Sequence, residues 1–553
     1  MKFRLPSYKY IFGVGILLVF FTIYYSFVAY TTLHGLPFTG YPIFNWPDEM
    51  SNHFFIKQFI ETNTFVQAEP LNDLVQNVIH PRSVNILKGS LVPTGFLGIL
   101  LVFGFLGKLI SLYGTTILTP LFAVVGVVAF RGIVRQIFSD KVANLSAILL
   151  FTLSTYWYYS SLVMLPTVLF ISLLLIGVYF TLQQSQQTLP RKKLVCSLLG
   201  GVFIGLSLIT RPTEFFWVGI IFISILVFLR KKIHWYQLTG IFLALVLPVL
   251  LMLSFNYIIY GNAFSVGYLR FQQAPNSVAQ LPSEFEITTQ SATLAYIKAA
   301  LLPFGFHPKL IVFNFYKYFL KFLWPYVALF VAGMLLFLRN YRQGRLEQKE
   351  KIFLLISFVV SLCLFSYYGS WLLADKMVLI QNTISNSYVR YWLPINILIL
   401  PVIAYFITQL GEFKISRKII LLLQICLVTG LIVFSINQVY RTPGDGFFDQ
   451  QKTIAQYYRQ AVAVQTIVPK DSIIIVDRAD KLFFPKYRVV VFNGDNTIFS
   501  KLKNIQGQVP IYYFTNLTDD AINRLNVTDL SALNLIFEHP LKIDENFRLF
   551  RLK

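Results

Sequence analysis

The chain repeats one pattern along most of its length: apolar stretches of about twenty residues separated by short polar linkers, and that is the length an α-helix needs to cross the roughly 30 Å hydrocarbon core of a bilayer. The first stretch runs from Tyr10 to Tyr30. Others lie at about 114 to 131, 143 to 160, 164 to 182, 195 to 211, 215 to 230, 239 to 259, 323 to 338, 352 to 372, 391 to 410 and 419 to 437. Together they predict eleven crossings and a polytopic α-helical membrane protein. Composition agrees, because 553 residues that are 56% hydrophobic and 13% charged are too apolar for one soluble domain.

A net charge of +22 in a soluble chain would point to nucleic acid. Here the basic residues cluster in linkers: Arg131/Arg135/Lys141, Arg191/Lys192/Lys193, Arg230/Lys231/Lys232, Arg339/Arg342/Arg345 and Lys414/Arg417/Lys418. The positive-inside rule places all five in the cytoplasm, and no nucleic-acid partner is expected. Lys2, Arg4 and Lys9 put the N-terminus on the same side, so eleven crossings leave the C-terminus outside. The first apolar run is too long for a signal peptide and no small-residue cleavage site follows it, so it reads as a retained helix. A full crossing at about 92 to 110 would invert the basic linkers, so that segment is expected to be re-entrant or to lie on the surface. Re-entrant backbone is tolerated only where protein or a water-filled cavity satisfies it, which hints at a cavity.

Residues 1–440 form the membrane domain on this reading, with long outer loops at 31–90 and 261–321, and residues 441–553 a small extracytoplasmic α/β domain. In the latter a helix near Phe448 to Thr466 precedes strand-like runs at Ser472 to Val476, Arg488 to Phe492, Pro510 to Phe514 and Asn534 to Phe537, with Thr518 to Leu525 helical. Cys196, Cys363 and Cys426 sit in apolar segments without metal-ligand spacing, so neither disulfides nor zinc are expected. Most acids before residue 440 fall in the outward loops, and chemistry is sought there.

In the first loop Asp48 and Glu49 open a helical-looking segment that contains His53. Two compatible readings apply: both acids complement the helix N-terminus, or one carboxylate, partly desolvated at the membrane edge, is a general base or metal ligand. Further along, Glu69, His80, Arg82 and Asn85 either order the loop or line an acceptor site. Arg211-Pro212-Thr213-Glu214 makes a turn in which Arg and Glu pair with each other or face a cavity. His307 and Lys309, among the aromatics of Pro303 to Lys309, are either interfacial belt or candidates for a metal and a phosphate. Asp375 and Lys376 beside Trp371 are placed near the same cavity. Arg390 stands where an outer loop enters a helix, a costly place for a charge unless it snorkels or pairs.

The Asp48-Glu49 pair after the first helix resembles the signature of the GT-C membrane glycosyltransferases, the superfamily of protein O-mannosyltransferases and lipid A aminoarabinose transferases (glycosyltransferase family 39-like). Gly89 to Thr94 followed by apolar sequence resembles that family's segment returning to the membrane, and Ser387 to Pro394 resembles its Arg-Tyr-x-x-Pro helix start. The resemblance covers roughly residues 1 to 440. It implies a glycosyltransferase of the cytoplasmic (inner) membrane that moves a sugar, with inversion, from a polyprenyl-phosphate donor to an acceptor on the outer face. Asp48 is then the catalytic or acceptor-orienting carboxylate, with Glu49 beside it, and Arg390 with Tyr391 falls at the donor phosphate, joined by Arg211 and Lys309. Some relatives use a divalent metal, for which Glu49 and His307 are the candidate ligands. No Gly-rich phosphate loop or Asp-x-Asp motif points to a nucleotide-sugar enzyme. Two rival readings are a lipid-linked glycan transporter without catalysis, disfavoured by the absence of inverted repeats, and a scaffold, which gives Asp48 and Arg390 no role.

Overall fold

The computed structural model describes residues 21–22, 24, 42–230, 232–268, 304–372, 382–412 and 416–553. The first expected crossing therefore lies almost wholly outside the described residues, as do Asp375, Lys376, Lys231, Lys414 and most of the second long loop. Seven expected crossings are single helices long and apolar enough to span: Tyr113–Ile137, Pro166–Gln186, Pro190–Thr210, Pro212–Leu229, Trp235–Tyr260, Gln348–Gly369 and Arg417–Arg441. An eighth is counted if Pro308–Leu320 and Trp324–Arg342, bent by 99° at their junction, are one broken span. The chain is thus a multi-pass membrane protein.

Among the described residues seven helices, or eight with the bent pair, are long and apolar enough to cross, against the eleven crossings expected over the whole chain. The stretch at 143 to 160 breaks at Leu153, whose extended backbone separates Asp140–Thr152 from Ser154–Ser161. The stretch at 391 to 410 holds one apolar helix, Leu393–Gln409, of 17 residues, with Pro394 and Pro401 each at the start of one of its segments and the short helix Ser387–Tyr391 before it. The segment at 92 to 110 is a largely buried helix, Leu97–Ile110, of 14 residues. At 1.5 Å per residue that is about 21 Å, short of a full crossing.

Contact clustering divides the chain into two compact units, each discontinuous in sequence. The first comprises residues 1–26, 117–252 and 278–447. Its helices start where proline can: Pro166, Pro190 and Pro212 all sit in a first turn, where the missing N–H is not needed. Gly201 and Gly205, one helical turn apart, let the Pro190–Thr210 helix ride on the backbone of Trp235–Tyr260. A Cβ on Gly205 would stand 2.5 Å from the Leu245 carbonyl oxygen, and one on Gly201 would strike that of Ile241. Leu243, Leu247, Leu421 and Leu422 remain exposed, as lipid-facing positions should.

The second unit comprises residues 27–116, 253–277 and 448–553. Its smaller sheet joins β1 (Gln67–Ala68), β2 (Val84–Leu87) and β3 (Ser90–Pro93) antiparallel in the order β1-β3-β2. The β2–β3 hairpin closes on Lys88 and Gly89, both with positive φ, as a two-residue turn requires. The larger sheet has the order β5-β4-β6-β8-β7, with β4 (Ile473–Val476), β5 (Arg488–Val491), β6 (Ile511–Thr515), β7 (Phe537–Lys542) and β8 (Arg548–Leu552). β4 pairs parallel with both β5 and β6, and β8 runs antiparallel between β6 and β7. The helix Phe447–Ile467 precedes them.

The first loop contributes to the core of the C-terminal sheet. Val75 and Ile79 pack with Ile473, Ile475, Val490 and Tyr513. The buried Asn72 amide closes that loop, donating to the Ile79 carbonyl (3.1 Å) and accepting from the Ile79 amide (2.9 Å).

Candidate functional site

In the second unit, Trp46 is extended and Pro47 begins the helix Pro47–Thr62, so Asp48 and Glu49 lie in its first turn and not at its cap. Asp48 is half-buried and accepts a 2.5 Å hydrogen bond from the Ser83 hydroxyl, while Ser51 donates to the Ser83 carbonyl at 2.6 Å. The β2 end of the first loop therefore orients the Asp48 carboxylate. Glu49 is fully buried at 0% exposure. His53 is buried against Phe44, ring centroids 5.2 Å apart.

A cation missed in the sequence stands beside this turn. Lys481 Nζ donates to the Asn45 carbonyl (2.6 Å) and lies 4.6 Å from the Tyr457 ring centroid. Burial, followed by the Arg82 charge, pushes the Lys481 ammonium down to about 8, against the pull of Asp480 and Glu49. One signal was legible: Asp477 to Lys481 is a charged run at the C-terminal end of a parallel strand, where α/β sheets gather functional groups.

Three acceptor candidates serve to fasten the loop. Arg82 binds Asp480 with its Nε (2.9 Å), its Nη2 (2.6 Å) and its own backbone N–H (2.8 Å), and Asp480 is 1% exposed. Glu69 accepts from Arg488 Nε through both oxygens, at 3.0 and 3.1 Å. His80 Nδ1 donates to the Pro81 carbonyl (2.9 Å), its backbone bridges to Val490, and burial lowers its pKa. Arg82→Ala leaves the Asp480 carboxylate buried without its cation. It is expected to cost the unit roughly 2–3 kcal/mol, read as a lower thermal midpoint of the detergent-purified protein. The Arg82→Ala/Asp480→Ala pair should recover part of that loss, and additive losses would show that the two do not interact.

In the first unit, Arg211 and Glu214 do pair, Nη2 to Oε1 at 2.8 Å, and both are buried. Glu214 also accepts from the Tyr368 hydroxyl (2.6 Å) and from Trp217 Nε1 (2.5 Å). Arg211 reaches Tyr368 Oη (3.2 Å) and Thr167 Oγ1 (3.4 Å). Its guanidinium carbon lies 4.6 Å from the centroid of the Tyr391 ring, and that of Arg390 lies 4.8 Å from the same centroid. Arg390 Nη2 donates to the Tyr391 hydroxyl at 3.0 Å. Tyr368 stacks on Tyr391 at 4.5 Å, and Trp371 and Phe304 continue the aromatic wall. Two guanidinium groups thus lie against one ring in a mostly buried setting, the Arg211 charge being matched by Glu214.

His307 and Lys309 lie exposed at the start of Pro308–Phe315 and do not join this cluster through any described contact, the His307 amide donating instead to Ser370 Oγ (3.2 Å). Among the described residues no three of His, Cys, Asp and Glu are grouped to hold a metal ion.

The first unit also holds an apolar cavity of about 410 Å³. Trp217, the donor to Glu214, is in its wall, as are Lys232 and Lys349. From Trp217 to Leu229, also in the wall, is about 18 Å along one helix, so the cavity runs through much of a bilayer's thickness.

The structure aligns over 98% of its length with 98% of ArnT from Cupriavidus metallidurans bound to undecaprenyl phosphate, at a TM-score of 0.52 and 11% identity. ArnT is a lipid A aminoarabinose transferase with the GT-C fold. This chain has the GT-C fold. The apo state of the same ArnT gives a TM-score of 0.50 at 12% identity, again over 98% of each chain. An oligosaccharyltransferase from Archaeoglobus fulgidus matches 90% of this chain and 69% of its own at a TM-score of 0.46 and 10% identity, and bears no weight in the assignment. No protein-family model matches the sequence, and no curated protein does. The GT-C likeness thus rests on three-dimensional arrangement and is nearly invisible in residue identity.

Proposed function

We propose that this GT-C chain is a glycosyltransferase of the cytoplasmic membrane, moving one sugar from a polyprenyl-phosphate carrier to an acceptor on the outer face. The observation that carries the reading is the pair Arg211 and Arg390 on Tyr391, in the same unit as an apolar cavity suited to a prenyl chain. The ArnT neighbour bound to undecaprenyl phosphate supports the carrier class. The basic linkers support the orientation, since Gln136, Ser185, Lys232 and Lys349, each in or next to a linker assigned to the cytoplasm, all line that one cavity.

The chemistry is a single displacement. The acceptor hydroxyl oxygen bonds to the anomeric carbon as the bond from that carbon to the phosphate oxygen breaks, and the hydroxyl proton passes to Asp48. The guanidinium groups of Arg390 and Arg211 receive the charge that develops on the departing phosphate. Inversion at the anomeric carbon follows from one displacement. The N-terminus is cytoplasmic and the C-terminal sheet extracytoplasmic on this reading.

Mass spectrometry of lipids co-purified with the detergent-extracted protein tests it. A polyprenyl-phosphate sugar is expected in the wild type and should turn over when an acceptor is supplied. A protein that holds no such lipid and turns over none that is added would remove the transferase reading.

A further inference from the structure

A second cavity of about 410 Å³ lies wholly within the second unit, and nothing above gives it a role. One wall is a stripe of the Pro47–Thr62 helix, with Phe54, Lys57, Gln58 and Glu61 at the spacing that puts residues on one face. Gln67 and Glu69 of the first loop form a second wall, and Phe484 to Arg488 with Lys470 and Asp471 a third. Phe54 meets Phe484 edge to face, ring centroids 4.7 Å apart.

The chemistry of the walls selects among ligands. Glu69 and Arg488 neutralise each other at 3.0 Å, and Lys57 and Glu61 stand 3.8 Å apart, so the cavity is not tuned to a strong anion. It offers amide and charged groups as donors and acceptors side by side, which suits a hydroxyl, a group that donates and accepts at once. The half-buried Phe54 ring, backed edge to face by the buried Phe484, supplies the apolar surface on which the C–H face of a pyranose rests. A peptide strand is less well served, because the β5 edge is already taken at Val490 by Ile79 and His80. The volume falls within the range of small-ligand sites.

We propose that this cavity binds a neutral oligosaccharide. Lys57 follows Asp48 by nine residues on one helix, about 13 Å along the axis and half a turn around it. The cavity therefore opens on the opposite face of that helix from the Asp48 carboxylate, and the binding does not rest on the transferase reading.

The probe is a panel of neutral tetrasaccharides presented to the full-length protein in detergent, with saturation-transfer NMR as the readout and a polar peptide of similar mass as comparison. Wild type should bind at least one tetrasaccharide, with transfer from aromatic protons. Phe54→Ala should weaken that binding tenfold or more, and Gln67→Ala several-fold. Both variants should retain the wild-type affinity for a polyprenyl phosphate, which separates loss of this subsite from loss of fold. Binding of no tetrasaccharide, preference for the peptide, or affinity unmoved by both substitutions overturns the proposal. Glycan binding by a protein that transfers nothing would leave the subsite standing and remove the transferase reading instead.

Discussion

Asp48→Asn is expected to lower sugar transfer by about a hundredfold to ten-thousandfold, the usual contribution of a positioned general base. The structure makes this substitution a clean one. Asp48 is held by the Ser83 hydroxyl, and an asparagine oxygen accepts the same bond, so the turn at Pro47 keeps its shape while the base is lost. Expression, membrane insertion and thermal midpoint should match the wild type. Radiolabelled sugar transfer by purified protein is the measurement, and a rate within a few-fold of wild type would reduce Asp48 to a helix-dipole partner.

Arg390→Ala should act on both binding and turnover, because a phosphate contact is present before and during bond cleavage. A charge-assisted hydrogen bond contributes roughly 1.5–3 kcal/mol, so donor affinity should fall about tenfold to a hundredfold, with a further drop in turnover as charge builds on the leaving phosphate. Arg390→Lys keeps the charge and loses the planar fork, and is expected to recover only part. Arg211 is a poorer probe of the same idea. Its removal leaves the buried Glu214 without its cation, so loss of activity there mixes chemistry with folding. Donor affinity unchanged in Arg390→Ala would take the phosphate role away from that residue.

How legible these features were depended on whether the partner was near in sequence. Arg211 and Glu214, three residues apart, were readable as a pair, and they are one. For Glu69 and Arg82 the choice between ordering the loop and lining an acceptor site stayed open, because their partners, Arg488 and Asp480, lie about four hundred residues away and leave no local trace. The meeting of Arg211 and Arg390 on Tyr391 was equally hidden, since it depends on how separate helices pack. Apolar length located seven membrane-length helices within a few residues but was blind to the break at Leu153, where a hydropathy profile sees one run and the backbone makes two helices. Strands β4 to β6 were found from their β-branched and aromatic residues, whereas the run expected at Asn534 to Phe537 meets β7 only at Phe537. β8, Arg548 to Leu552, was missed because Arg548 and Arg551 interrupt its apolar pattern.

The shared core of the first loop and the C-terminal sheet also sets a clock on biosynthesis. Residues 27–116 are made more than three hundred residues before residues 448–553, which at about 5–20 residues per second is a delay of roughly 15 to 70 s. During that interval Val75 and Ile79 have no sheet to cover them, so the loop that carries Asp48 waits half-finished. A ribosome that stops before residue 448 leaves helices that can insert but a first loop that has lost the strands it closes against, which ties quality control of this protein to its last hundred residues.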